Sequence, residues 1–271
     1  MPMECVENIR PVKFIPSTDF EVDGFISALN IATRDGKETY LDSCVFFPYG
    51  NFDSSVNITR QIYFMLNSGG GSLLRKTIEQ FEYYVGQFRE FLERKDVIMT
   101  TPIRDENMHH LISLKRKAQS VLIPSALEEK IVETITDLEN AIVMNNIKYC
   151  ESGKNKDPLH LELKRYSERE YDRNRTISSA DITLFTSALS AGFLDGENRN
   201  VLTNDGGVFC LGKWMFNRFG NGDVPCDGFW EPEQLKGVVV SFTKVLRESG
   251  GHVARTGLEA YYRVPRVARA A

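Results

Sequence analysis

Tyr40-Leu-Asp-Ser-Cys-Val-Phe-Phe47 is a dense apolar run, bounded by Lys37 on one side and Pro48-Tyr49-Gly50 on the other. A run this short and this apolar suits a buried strand of a parallel sheet better than a helix. Two more strand-length runs follow, Val97–Thr100 and Asn200–Thr203. Between them lie helical patterns. Ile58–Leu66 is followed by Leu73–Glu93, in which Leu74, Ile78, Phe81, Phe88 and Leu92 recur at helical spacing. Another helix opens at Thr101-Pro102, where threonine can cap and proline is tolerated at the first position. Ala126–Met144, the charged stretch His160–Asp172 and Ser179–Ala191 complete the set. This alternation predicts an α/β fold with a mostly parallel, helix-flanked sheet.

The strands and helices organise the chain into a main unit over 38–220, with a helical insertion at about 119–176. Residues 1–37 read as an N-terminal extension: an apolar segment Val12–Ile15, a short helix around Phe25–Ile31, and a break at Arg34-Asp35-Gly36-Lys37. Residues 221–271 read as an appendage, turn-rich near Gly220–Gly228, with a strand at Val238–Phe242 and a basic tail carrying Arg255, Arg263, Arg266 and Arg269. Gly69-Gly70-Gly71 reads as a helix–helix connection.

Composition removes several classes. The five cysteines are odd in number and scattered without a CxxC pair, so neither a disulfide framework nor a zinc finger is indicated. Cys44 and Cys210 sit in apolar runs, where a thiol behaves as a small core residue. The first residues lack an apolar signal core and no stretch approaches a membrane span, so a cytoplasmic protein without a membrane partner is expected. A formal net charge of −4 gives no general basic field, and nucleic-acid binding would need a local groove.

Four acids stand out by position. Asp42 interrupts the first strand run, and a charge inside a buried strand has to be paired or bind a metal. Asp205 follows Val201-Leu202-Thr203-Asn204, at the end of a parallel strand where open α/β sheets place their ligands, although Asn-Asp-Gly-Gly is also turn chemistry. Asp181 opens a helix three residues after Ser178, which is also the spacing of a capping box. Glu106 lies in the first turns after Thr101-Pro102, where acids suit the helix dipole and Asp105 is an alternative.

Taken in order, these pieces resemble the PIN-like nuclease domain. Leu41-Asp42-Ser43 matches the opening aspartate, and Thr101-Pro102-Ile103-Arg104-Asp105-Glu106 the second acid. Ser178-Ser179-Ala180-Asp181 with its helix, and Val201–Asp205, match the last two. The resemblance covers roughly residues 38–220. Cys44 stands where the family commonly has asparagine, Gly207 stands where a further acid is frequent, and the segment between Glu106 and Asp181 is long.

The resemblance implies a three-layer PIN-like fold and a metal-dependent nuclease, an endoribonuclease first, leaving 5′-phosphate and 3′-hydroxyl ends. Magnesium or manganese would be held by Asp42, Glu106, Asp181 and Asp205, hard cations relieving clustered carboxylates. Ser43, Thr203 and Asn204 would support them. Single-stranded or structured RNA is the implied substrate, with DNA and a protein regulator as further partners, and a catalytically silent binding module as the alternative function. Arg169, Arg173 and Arg175, interleaved with Tyr166 and Tyr171, are candidates for substrate contact, against the plainer reading of a solvated helix face. Lys115-Arg116-Lys117 and Lys164-Arg165 are further basic candidates.

Two other signals are set aside. Gly207–Lys213 fits the spacing GxxxxGK, but Trp214 replaces the hydroxyl residue and the interior is apolar. A haloacid-dehalogenase-type phosphatase needs a second aspartate two residues after Asp42, where Cys44 stands. His109 and His110 are adjacent and read as surface or partly buried residues rather than ligands.

Overall fold

The structure is a computed structural model, and it describes residues 17, 19–34, 36–50, 56–68, 71–171, 177–220, 239–248 and 251–261. Arg173, Arg175, Val12–Ile15, the turns after Gly220 and the tail arginines Arg263, Arg266 and Arg269 lie outside them.

The elements run α1 (Val22–Ala32), β1 (Thr39–Leu41), α2 (Ile58–Ser68), α3 (Gly71–Glu93), β2 (Val97–Ile98) and α4 (Thr101–Ser120). There follow α5 (Ser125–Glu151), α6 (Pro158–Glu170), α7 (Ser179–Asp195), β3 (Arg199–Leu202), α8 (Gly206–Gly220), β4 (Val239–Glu248) and β5 (Gly251–Tyr261). The strands form one five-stranded sheet in the order β2-β1-β3-β4-β5. β1 pairs parallel with both β2 and β3, β3 pairs parallel with β4, and β5 closes the edge antiparallel to β4. With helices packed about this mostly parallel sheet, the architecture is three-layer α/β.

The run Tyr40–Phe47 is a strand only as far as Leu41. Asp42 then caps a 3₁₀ turn over Ser43–Val45, and Phe46 and Phe47 enter the core from that turn. Their burial comes from ring packing: Phe46 lies edge-on to Phe88 at 5.1 Å, and the Tyr84 hydroxyl donates to the Phe46 carbonyl. A charge at the strand end therefore breaks the extended conformation while the apolar content of the run stays buried.

Elements flanking the main unit join its core. Phe20, Phe25 and Leu29 are buried in the same apolar cluster as the sheet, and the Asn200 side chain donates to the Ala32 carbonyl at 3.2 Å. β4 runs to Glu248, past the stretch that the sequence marks as a strand, and turns back as β5, which carries Arg255. α5 continues to Glu151 because Asn145 and Asn146 are buried polar anchors. The Asn145 amide donates to the carbonyls of Leu92 (2.7 Å) and Val97 (2.9 Å), and that of Asn146 to Met99 (3.0 Å). These bonds fix β2 and the start of α4 against α5. Lys115 is tied to Thr136 at 2.8 Å and Glu139 at 3.3 Å, which takes it out of the set available for phosphate contact.

Gly207–Lys213 lies within α8 rather than in a phosphate-binding loop. Gly212 is there for packing: a Cβ would stand 2.6 Å from the Phe242 ring and 3.2 Å from Phe185. Among the described residues, no helix is long and apolar enough to cross a membrane.

Candidate active site

β1 and β3 are parallel neighbours, so Asp42 and the segment Thr203-Asn204-Asp205 emerge together at their C-terminal ends. Asp42 is buried, and its Oδ2 accepts from the Thr203 hydroxyl and from the Cys44 thiol at 3.0 Å. The Thr203 hydroxyl in turn accepts from the Asp205 backbone N–H at 2.9 Å. Cys44 accepts from the Asn204 N–H at 3.0 Å, which makes the thiol a link between the two strand ends. Burial and the adjacent Asp42 carboxylate push the Cys44 thiol well up, so it is a neutral donor rather than a nucleophile. Asp42 Oδ1 receives a single long contact, 3.4 Å from the Ser43 hydroxyl, whose shorter bond goes to Glu106 Oε2 at 2.8 Å.

The two acids of α4 have different surroundings. Asp105 is paired with Arg104, at 2.6 Å, and Glu106 is the one joined to the Asp42 turn through Ser43. Arg104 is itself held by Asn146 at 2.9 Å, so α5 orients this pair. Asn204 supports the site from the other side: its amide donates to the Val245 carbonyl at 2.9 Å and accepts from the Val245 N–H at 3.0 Å, docking the loop on β4.

Asp181 sits at the start of α7 in a complete capping box. Ser178 Oγ accepts from the Asp181 N–H at 3.1 Å and the Asp181 carboxylate accepts from the Ser178 N–H at 3.2 Å. The cap is not its whole environment. Burial, with the negative charges of Asp42 and Asp205 adding to it against the Ser178 hydrogen bonds, pushes Asp181 up to about 6. Asp205 is exposed and accepts from the Gly207 N–H at 2.6 Å, so it also caps α8. Among the described residues, neither Lys nor Arg forms an ion pair with Asp42, Glu106, Asp181 or Asp205.

An open hollow of about 510 Å³ beside Glu106 is lined by Pro102, Asp105, Glu106, His109 and Ala180, joining the starts of α4 and α7. His110 points away from it, bonded to the Thr59 hydroxyl at 2.7 Å and held low in pKa by burial.

Oxygen donors of uncompensated charge are the donor chemistry that magnesium or manganese takes. In the side-chain positions described, however, there is no group of three His, Cys, Asp or Glu side chains that could hold a metal ion. The donor type fits such an ion and the spacing does not. Cys44 as a hydrogen-bond link is the feature that the sequence hides, since its place beside Asp42 signals only a departure from the family pattern. No family model, curated protein or solved structure matches the chain.

Proposed function

We propose that this chain is a PIN-like, metal-dependent nuclease, an endoribonuclease in the first instance, whose site is made by Asp42, Glu106, Asp181 and Asp205. The observation that carries the reading is a placement: Asp42 and Asp205 stand at the ends of the parallel neighbours β1 and β3, Asp181, raised first by burial and then by their charges, opens α7, and among the described residues none of the three has a paired cation. Such an arrangement opposes folding unless a cation completes it, so its presence asks for a ligand. The order of the acids along parallel strands supports the family assignment.

In this reading Asp42, Asp181 and Asp205 would hold the ion. When bound, a divalent cation supplies charge neutralisation at the scissile phosphate and a lowered pKa for a water. The chain's own residues do the rest. Thr203 and Cys44 fix Asp42 by its Oδ2 and leave Oδ1 with the long contact from Ser43. Glu106, exposed beside the hollow and touched by Ser43, orients the attacking water and takes its proton. The product ends are a 5′ phosphate and a 3′ hydroxyl.

The test is manganese-dependent cleavage of labelled single-stranded RNA and DNA by wild type, Asp42→Asn and Asp205→Asn. Loss on the order of 100-fold or more in both variants, with unchanged melting, is expected. Full activity in Asp42→Asn sinks the assignment. A second reading, a catalytically silent binding module, is favoured by one observation: Asp181 and Asp205 both serve as helix caps while no three donors are grouped among the described residues. Folded wild-type protein that binds nucleic acid and cuts neither polymer would select it.

A further inference from the structure

In a chain with 37 acids and 33 basic residues, two neighbouring stretches hold none of the acids: α2, and residues 107–120 of α4. The two helices meet where the Thr59 hydroxyl bonds His110 at 2.7 Å and where the Lys117 ammonium stands over the Tyr63 ring at 6.0 Å. Arg60, the residue after Thr59, lies over the Phe64 ring at 5.7 Å. A ring contact positions a cation without neutralising it. Among the described residues, no carboxylate forms an ion pair with Arg60, Arg116 or Lys117, and Arg60 and Arg116 are exposed.

Helix dipoles explain only part of this. Arg116 and Lys117 lie near the C-terminal end of α4, where cations are favoured. Arg60 stands in the first turn of α2, the end at which a cation is opposed. Like charges gathered without an acid also repel one another. Both effects work against the fold, and an anion relieves both.

The patch leads to the carboxylates. Glu106 and His109 line the same hollow at the start of α4. Arg116 follows His109 by seven residues and Lys117 follows His110 by seven, two turns further along the same faces of the helix. From Glu106 to Arg116 the helix rises about 15 Å. At the near end the Arg60 charge acts on His110 and on Tyr49, and Tyr49 is pushed up by burial and by Cys44, the thiol bonded to Asp42.

We propose that Arg60, Arg116 and Lys117 form a phosphate track on α2 and α4 that carries a single nucleic-acid strand into the hollow beside Glu106. Its direction rests on the nuclease reading of the carboxylates, whereas the track itself rests on unpaired charge. The cations follow one line away from the hollow, which suits one backbone rather than the two of a duplex. They meet phosphate and no base, so the track takes any sequence.

The experiment is a binding titration of the full chain in EDTA, where cleavage is absent, against fluorescein-labelled oligouridine and oligothymidine, with KCl varied from about 50 to 300 mM. Arg60→Gln, Arg116→Gln and Lys117→Gln are compared with wild type and with Lys156→Gln, each checked by thermal melting. Lys156 is an exposed cation two residues from Lys154, at the opposite end of the strands, where Lys154 pairs with Glu38. Each track variant should reduce the slope of log K against log salt by about 0.7, the share of one phosphate contact on a single strand, and weaken binding about fourfold near 0.15 M salt. The three changes combined should weaken it roughly fiftyfold, and Lys156→Gln should bind as wild type does. Arg60→Gln and Arg116→Gln, at exposed positions, decide the question if Lys117→Gln does not fold. Preference for one polymer assigns the strand as RNA or DNA. Binding of neither polymer by wild type overturns the track. So does a slope unmoved in Arg60→Gln and Arg116→Gln, or an equal loss in Lys156→Gln, which would mean adsorption by net charge. Cleavage by wild type with the slope unmoved leaves the nuclease standing without the track; the expected losses with no cleavage in manganese or magnesium remove the nuclease and keep the track.

Discussion

The same parallel strands carry charge at both ends, and the two ends treat it in opposite ways. At the N-terminal ends, Glu38 before β1 meets Arg199 at 3.1 Å and also Lys154, while Arg199 reaches Asp195 and Glu197. The Arg199 side chain is 4% exposed, and every carboxylate there has a cation. Beside it Arg94 and Asp96 pair at 2.6 Å before β2. At the C-terminal ends the acids converge, among the described residues, without one, held by hydroxyl, thiol and backbone donors. Paired charge locks a structure; charge held by neutral donors keeps its field for something else.

Four measurements bear on that contrast. Arg199→Ala should cost about 3 kcal/mol in urea unfolding, because it removes a buried side chain together with the cation of Asp195 and Glu197 and leaves Glu38 with Lys154 alone; a loss well under 1 kcal/mol would show that the N-terminal network is not the lock. Manganese should stabilise the protein through the C-terminal end alone, by about 2.7 kcal/mol at a hundredfold excess over Kd. Asp42→Asn should cancel that gain, and an equal gain in the variant would place the ion elsewhere. Thr203→Val leaves Asp42 Oδ2 with one donor and the Asp205 N–H with none, for a loss of about 1–2 kcal/mol in the same unfolding assay.

The smallest effect is a pH slope. Asp181, raised to about 6 from 3.8, keeps its proton in the native state at pH values where the unfolded chain has lost it. Its contribution to stability is therefore present below about pH 4 and is lost as pH rises through about 6. The melting temperature of wild type relative to Asp181→Asn should fall between pH 4 and pH 7, and a flat difference would mean that burial and the neighbouring acids do not raise Asp181.

The sheet was legible because its strands are short apolar runs set between long helical patterns, and Asp42 because a charge inside such a run needs a reason. Phe46 and Phe47 misled: their burial arises from a 3₁₀ turn against Phe88 and Tyr84, and burial alone does not distinguish a turn from a strand. The β4–β5 hairpin was hidden because Lys244, Arg247 and Glu248 interrupt the apolar pattern where β4 extends beyond the stretch marked as a strand. Arg199 looked like a solvated residue before a strand, since its partners lie far apart in sequence at Glu38 and Asp195. The Ser178–Asp181 spacing announced a cap and nothing more; only the approach of β1 and β3 adds the field of the other acids. Sequence order named the candidate acids, and the pairing of β1 with β3 brings Asp42 beside the segment Thr203–Asp205.

The hydrogen bond from Thr203 to Asp42 spans 161 residues, and β3, which Thr203 directly follows, is the central neighbour of β1. A ribosome adding about 5–20 residues per second needs roughly 8–32 s to traverse that interval. During that time α2 to α7 are available for local packing while β1 lacks the strand that completes it. A nascent chain therefore carries Asp42 long before the segment that holds its carboxylate has been made, and the junction of β1 and β3 cannot assemble until most of the scaffold has left the tunnel.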